Sequence, residues 1–156
     1  MTTSMNPYLM HSAEGLSGLE LLVALYDGII RFLYRAIDAT ENGDVSRRRA
    51  EVKRSLDIII HLQATLRMDI GGQPAQALSE FYASVFAQIL QASQSASKAK
   101  FEHAIHCVKN VRDAWREAAR NPELNSAFLS RAPEIAEGYR AAATETNATA
   151  TSHWSV

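Results

Sequence analysis

The side chains best suited to chemistry fall in two short clusters. His103, His106 and Cys107 place two imidazoles and a thiol within one helical turn. Laid out at roughly 100° per residue, both histidines point away from the apolar stripe that carries Val108 and Trp115. Solvated side chains are therefore expected there, since a structural zinc site needs about four converging ligands. Cys107 sits on the flank of the same helix and reads as an ordinary thiol. The second cluster is Arg47, Arg48 and Arg49 with Lys53 and Arg54. It lacks interleaved aromatics and is offset by Glu41, Asp44 and Glu51, so it reads as the solvated face of a helix. A regulatory nucleic-acid binder using these arginines remains an alternative.

Enzyme chemistry finds no foothold. A di-iron bundle needs inward Glu-x-x-His pairs, and the chain has none. Phosphate-binding glycine loops and the nucleophile elbow are also missing, and Gly71-Gly72 reads only as a helix break. No catalytic residue, metal or cofactor is expected, and the chain is read as a non-enzyme.

Helices must position whatever surface does act. Ser17 and Glu20 have capping-box spacing, and an apolar run follows directly. The first helix is expected from about Gly18 to Ala39, with Leu22, Leu25, Ile29, Phe32/Leu33 and Ala36 recurring at steps of three and four. Asn42-Gly43 stops it. Asp44 opens the second helix, whose stripe is Val45, Val52, Leu56, Ile59 and Leu66. After Gly71-Gly72, Pro74 suits the first turn of a third helix, with Leu78, Tyr82, Val85, Ile89 and Ala92 as its stripe. The run Ser93-Gln94-Ser95-Ala96-Ser97 is a weak boundary without glycine or proline. Phe101, Ala104/Ile105, Val108, Val111 and Trp115 then mark a fourth helix. These readings define an all-α, antiparallel up-down four-helix bundle over residues 17–120. Residues 1–16 form an N-terminal cap segment. Residues 121–156 form a C-terminal extension, with a short helix near residues 133–143 and a polar tail too poor in apolar surface to order itself.

Bulk properties agree. The 156 residues, 47% hydrophobic and 21% charged, suit one globular domain. A net charge of −1 supplies no general attraction to nucleic acid or anionic membrane. The single cysteine excludes an intrachain disulfide and suits a reducing compartment. The N-terminus does not read as a signal peptide, and Leu21–Ile30, interrupted by Asp27, is too short to span a bilayer. A cytoplasmic protein is expected.

The first helix is broader in its apolar face than a bundle requires. Beside its stripe lie Leu19, Val23, Tyr26, Ile30, Tyr34 and Ile37, so about half its circumference is apolar, against roughly 100° or a little more for an ordinary bundle helix. Either it is the most enclosed helix, or part of this surface lines a groove for a partner. A scaffold bundle that oligomerises through the same face is a further alternative.

Several segments, taken in order, resemble the flagellar secretion chaperone family (FliS). Asn6-Pro7-Tyr8 matches that family's N-terminal signature. Ser17, Leu21 and Leu25-Tyr26-Asp27-Gly28, then Phe32-Leu33 and Ala36, look like its first helix, although Gly18 stands for the usual proline. Asn42-Gly43-Asp44 falls at its interhelical turn. Leu66 to Leu78 keeps its spacing into Phe81-Tyr82, and Arg112-Asp113-Ala114-Trp115 with Ala118 resembles its ending. The likeness runs from about Asn6 to Ala118.

The resemblance implies a cytosolic partner for the C-terminal segment of flagellin, which is disordered when free and helical on the chaperone. The anti-sigma factor and the flagellar export apparatus are further partners it allows. A monomer or weak homodimer is expected, without nucleic acid, membrane or cofactor. Partner contacts are expected at Asn6, Pro7, Tyr8, Met10, Tyr26, Asp27, Ile30, Phe81, Tyr82 and Trp115. By analogy with the family, Asn6, Pro7, Tyr8 and Met10 would act as a competing lid. Tyr26 is expected to pack. Asp27 is read either as a polar contact for the partner or as a helix-face pair with Arg31, one turn away.

Overall fold

The computed structural model describes residues 18–66, 68–121 and 123. Ser17, residues 1–16 and the expected helix near residues 133–143 lie outside the described residues. Four α-helices follow one another: α1 Gly18–Glu41, α2 Val45–Ala64, α3 Met68–Gln94 and α4 Lys98–Arg120. Among the described residues there is no strand.

Two turns are closed by the same device. After α1, the Asp44 N–H donates to Ala39 O at 2.9 Å and the Gly43 N–H donates to Thr40 O at 3.2 Å. This is the paired hydrogen-bond pattern of a Schellman cap, and Gly43 takes the left-handed conformation it requires, at φ +69°. The Asp44 carboxylate then accepts the Arg47 N–H at 3.0 Å and caps α2. Because the cap draws on the carbonyl of Ala39, α1 runs two residues beyond the expected end. After α3, the Ser97 N–H donates to Ala92 O at 3.0 Å and the Ala96 N–H to Ser93 O at 3.2 Å. Here the left-handed residue is Ala96, at φ 47°. A β-carbon in that conformation costs roughly 1–2 kcal/mol, which is why the boundary carried so little sequence signal. Ser97 caps α4 by accepting the Lys100 N–H at 3.2 Å.

In α3 the helical path is interrupted at Gly72, with φ 56° and ψ −143°. Pro74 follows in the first turn beyond the break, as its missing N–H predicts, and one further helical turn precedes the glycine.

The cross-helix pairs show the directions of the chain. Along α1, Asp27, Tyr34 and Glu41 meet Arg112, Lys109 and Lys98 of α4 at 3.0, 2.7 and 2.7 Å. One number rises as the other falls, so α1 and α4 are antiparallel. Asp38 meets Arg47 of α2 at 2.7 Å across the tight turn. The Gln63 amide donates to Ser79 Oγ, which joins α2 to α3. Each helix thus packs on two neighbours and α4 closes the ring onto α1. The molecule is an up-down four-helix bundle.

The core runs the length of the bundle, with Leu33, Ala36, Ile89, Ala92, Phe101 and Ala104 fully buried. α1 packs extensively on both α2 and α4, which encloses Leu19, Tyr26, Ile30 and Ile37. Much of the breadth of its apolar face is therefore core. Gly28 permits the close approach to α2, since a β-carbon there would lie 3.2 Å from Ile58 Cδ1. Val45, expected in the α2 stripe, is instead 44% exposed at the helix start. No helix among the described residues is long and apolar enough to cross a membrane.

Candidate functional site

α2 and α3 pack on each other less closely than α1 packs on its neighbours. Between them opens a surface groove of about 360 Å³. α2 supplies Ile59, Ile60, Gln63 and Ala64, and α3 supplies Tyr82, Ala83 and Phe86. These positions recur at helical spacing on each wall, so two helix faces line the space. Ile59 and Tyr82 are buried and form its floor, while Ile60 stands out at 53% exposure and Leu90, one turn beyond Phe86, at 37%. The lining carries no carboxylate, ammonium, guanidinium or imidazole. Gln63, held by Ser79, is the polar mark at one end. Such a surface can exclude water from another apolar face and cannot polarise or protonate a substrate.

Beneath the groove, Tyr26 and Tyr82 are joined through their hydroxyls at 2.7 Å. Their rings meet edge to face, 6.2 Å between centroids, an arrangement favoured by the ring quadrupole. The Phe81 ring lies 5.7 Å from that of Tyr82. These aromatics connect α1 to α3 through the core and fix the height of the floor. Tyr26 is fully enclosed, as packing predicts, and Ile30 is 6% exposed. On the closed bundle neither presents a surface to a partner.

Asp27 departs from its expected helix-face partner. Its Oδ1 accepts from Arg112 Nη1 at 3.0 Å and its Oδ2 lies 3.8 Å from Arg116 Nη2, both on α4. Arg31 instead lies over the Phe32 ring, 5.4 Å from its centroid. The antiparallel α4 brings its arginines to Asp27, a juxtaposition that helical spacing within α1 could not show. Burial lowers the Arg112 guanidinium pKa, and hydrogen bonds to Asp27 and Asp113 outweigh this and raise it above the ordinary value. Trp115 packs against the core, and its indole Nε1 is buried with no acceptor among the described residues.

Of the partner-contact residues expected from sequence, only Tyr82 lines the groove. Tyr26 and Phe81 support it from behind, and Asp27 and Trp115 belong to the α1–α4 side. Asn6, Pro7, Tyr8 and Met10 lie outside the described residues. Ile60, Ala64, Ala83 and Phe86 were not foreseen. A signal for Ile60 existed in Ile58-Ile59-Ile60: three consecutive isoleucines spread over about 200° of a helix cannot all face one core.

Several members of the histidine and arginine clusters have local partners. His103 and His106 are exposed on α4, and His103 Nε2 lies 3.9 Å from Cys107 Sγ. On α2, Arg47 is held by Asp38, Lys53 by Asp57 at 2.8 Å, and Arg54 by Glu51 at 3.3 Å.

The chain matches the family model described as flagellar protein FliS over residues 1–122. It is 34% identical over 116 residues to the flagellar secretion chaperone FliS of Campylobacter jejuni, covering 74% of this chain and 91% of that protein. It is 25% identical over 119 residues to the Bacillus subtilis protein of the same name, covering 74% and 88%. For the Salmonella typhimurium protein, also so named, the figures are 30% over 99 residues, 63% and 73%. The uncharged groove on a four-helix bundle and these likenesses point the same way, and the chain belongs to the FliS family of flagellar proteins.

Proposed function

We propose that this protein is a cytoplasmic export chaperone, without enzymatic activity, that holds the C-terminal segment of flagellin in a soluble form until secretion. The observation that carries this reading is the uncharged α2/α3 groove, where Ile60 remains 53% exposed beside the buried Ile59 and Tyr82. Two facing helix walls with apolar residues at steps of three and four fit the apolar stripe of a third helix. A flagellin tail that carries such stripes would otherwise associate with other copies through them. Burying them here removes that tendency and leaves the tail's polar face in water.

The energetics favour an extended contact over a small one. Ordering a disordered tail costs at least about 2–5 kcal/mol, so apolar area must be buried along much of its length. The groove proper is short, and Leu90 extends its α3 wall by one turn. Asn6, Pro7, Tyr8 and Met10 serve in this reading as a lid that competes for the same apolar surface. Tyr82, Phe81 and Tyr26 set the shape of the floor.

The test is calorimetric titration of the full chain with the C-terminal segment of the flagellin from the same organism, at several temperatures. One-to-one binding with a negative heat-capacity change supports the reading. Absence of heat at all temperatures, together with failure to co-elute on a sizing column, refutes it. A doubling of mass without flagellin would instead support a self-associating scaffold.

A further inference from the structure

On the opposite flank of α2 from the groove, three cations gather about one aromatic ring. The guanidinium carbons of Arg31, Arg35 and Arg54 lie 5.4, 5.7 and 5.9 Å from the centroid of Phe32. Arg31 and Arg35 are exposed and stand one turn apart on α1, while Arg54 reaches over from α2. Phe32 is half-buried beneath them.

The charges of this cluster are not balanced within the described fold. Arg54 has Glu51, through Oε1 at 3.3 Å. Glu51 is only 7% exposed, and its Oε2 is buried with no hydrogen-bond partner among the described residues. Arg31 and Arg35 have no carboxylate partner among the described residues. Like charges at this i, i+4 spacing destabilise a helix. The ring attracts each exposed cation, but it supplies no neutralising charge. Folding alone gives little reason to bring three guanidiniums together here.

We propose that Arg31, Arg35 and Arg54 around Phe32 form a second docking site, which takes a short acidic helical segment of a partner protein through paired carboxylates. Guanidiniums bind carboxylates with two parallel hydrogen bonds, a geometry that an ammonium cannot match. Two arginines one turn apart suit two carboxylates at the same spacing on a partner helix, and the Phe32 ring holds their guanidiniums in place from beneath. A phosphate backbone fits less well. It needs a continuous basic track and free aromatic faces for bases. Here the cations already crowd the ring, and the track is interrupted by Asp38 and Asp57, which hold Arg47 and Lys53. Arg54 and Ile60 are six residues apart, about 120° around α2, so this site and the apolar groove can be filled together. The proposal does not depend on the identity of the groove's ligand.

The experiment uses the full chain and a fluorescein-labelled, alanine-based helical peptide carrying glutamates at i, i+4 spacing. A peptide with glutamine at those positions and a single-stranded oligonucleotide of similar charge serve as controls. Anisotropy titrations at low salt should show binding at least about tenfold tighter for the glutamate peptide than for the glutamine peptide. The R31Q/R35Q variant should lose about that factor, and so should added salt. Arginine Nε–H resonances of the wild type should shift on titration. All three arginines are exposed, and a matching thermal midpoint will confirm that the variant is folded; R54Q gives a second reading through the other wall. Equal affinity for the two peptides, unchanged binding by both arginine variants, or tighter binding of the oligonucleotide would overturn the proposal.

Discussion

Replacing Ile60 separates binding from folding, because its side chain is shared almost equally between the groove wall and water. Full burial of an isoleucine is worth about 1.5–3 kcal/mol. With 53% of Ile60 still exposed, covering it with a ligand should contribute about 1 kcal/mol. Ile60→Ala should therefore weaken flagellin-segment binding about fivefold. Ile60→Lys should weaken it more, by about ten- to a hundredfold, because an ammonium must be desolvated in a groove without a counter-charge or lift the ligand away as it reaches for water. Neither change should unfold the bundle. Some apolar burial is lost, but alanine and lysine are slightly better helix formers than isoleucine by a few tenths of a kcal/mol. The thermal midpoint should move by no more than about 4 °C. Calorimetric titration with the flagellin C-terminal segment and a thermal melt of each variant supply the two measurements. Wild-type affinity in Ile60→Lys, with the fold intact, would show that the groove is not where the ligand sits.

Other predictions concern the fold that holds the groove in place. Ala96→Gly should stabilise the protein by about 0.5–1 kcal/mol in denaturant unfolding, because relief of the left-handed strain exceeds glycine's added entropy cost; a loss of stability would refute the strain argument. Asp27→Asn should cost about 0.5–1 kcal/mol at low salt, a modest figure because the carboxylate is 43% exposed. The difference from wild type should shrink in 1 M salt. Burial lowers the pKa of His61 below its ordinary value of 6.5. The unfolded chain therefore takes up a proton before the folded one does, and this contribution to stability is lost as pH falls through 6.5 toward the folded value. His61→Gln should flatten the stability profile in that window, as followed by urea titration at several pH values.

The helices, their order and most of the core were legible in the amino-acid sequence. Steps of three and four among Leu22, Ile29, Leu33 and Ala36, or among Tyr82, Val85, Ile89 and Ala92, are local properties of a helix, readable without knowing its neighbours. So were Gly43 with Asp44, whose backbone and side-chain preferences act within a few residues. Ala96 was harder, because its left-handed conformation runs against its own preference and is imposed by the helices on either side. The groove, by contrast, follows from packing in three dimensions. Which apolar residues are left over depends on how closely two helices approach, and α2 and α3 leave Ile60 and Ala83 exposed and Phe86 partly so, while α1, although broader in its apolar face, is enclosed on two sides. The same holds for charge: Asp27 meets Arg112 from 85 residues away, and Arg54 joins Arg31 and Arg35 at Phe32 only because α2 folds back along α1. Periodicity assigns a side chain to a face, whereas what that face meets depends on packing between segments distant in the chain.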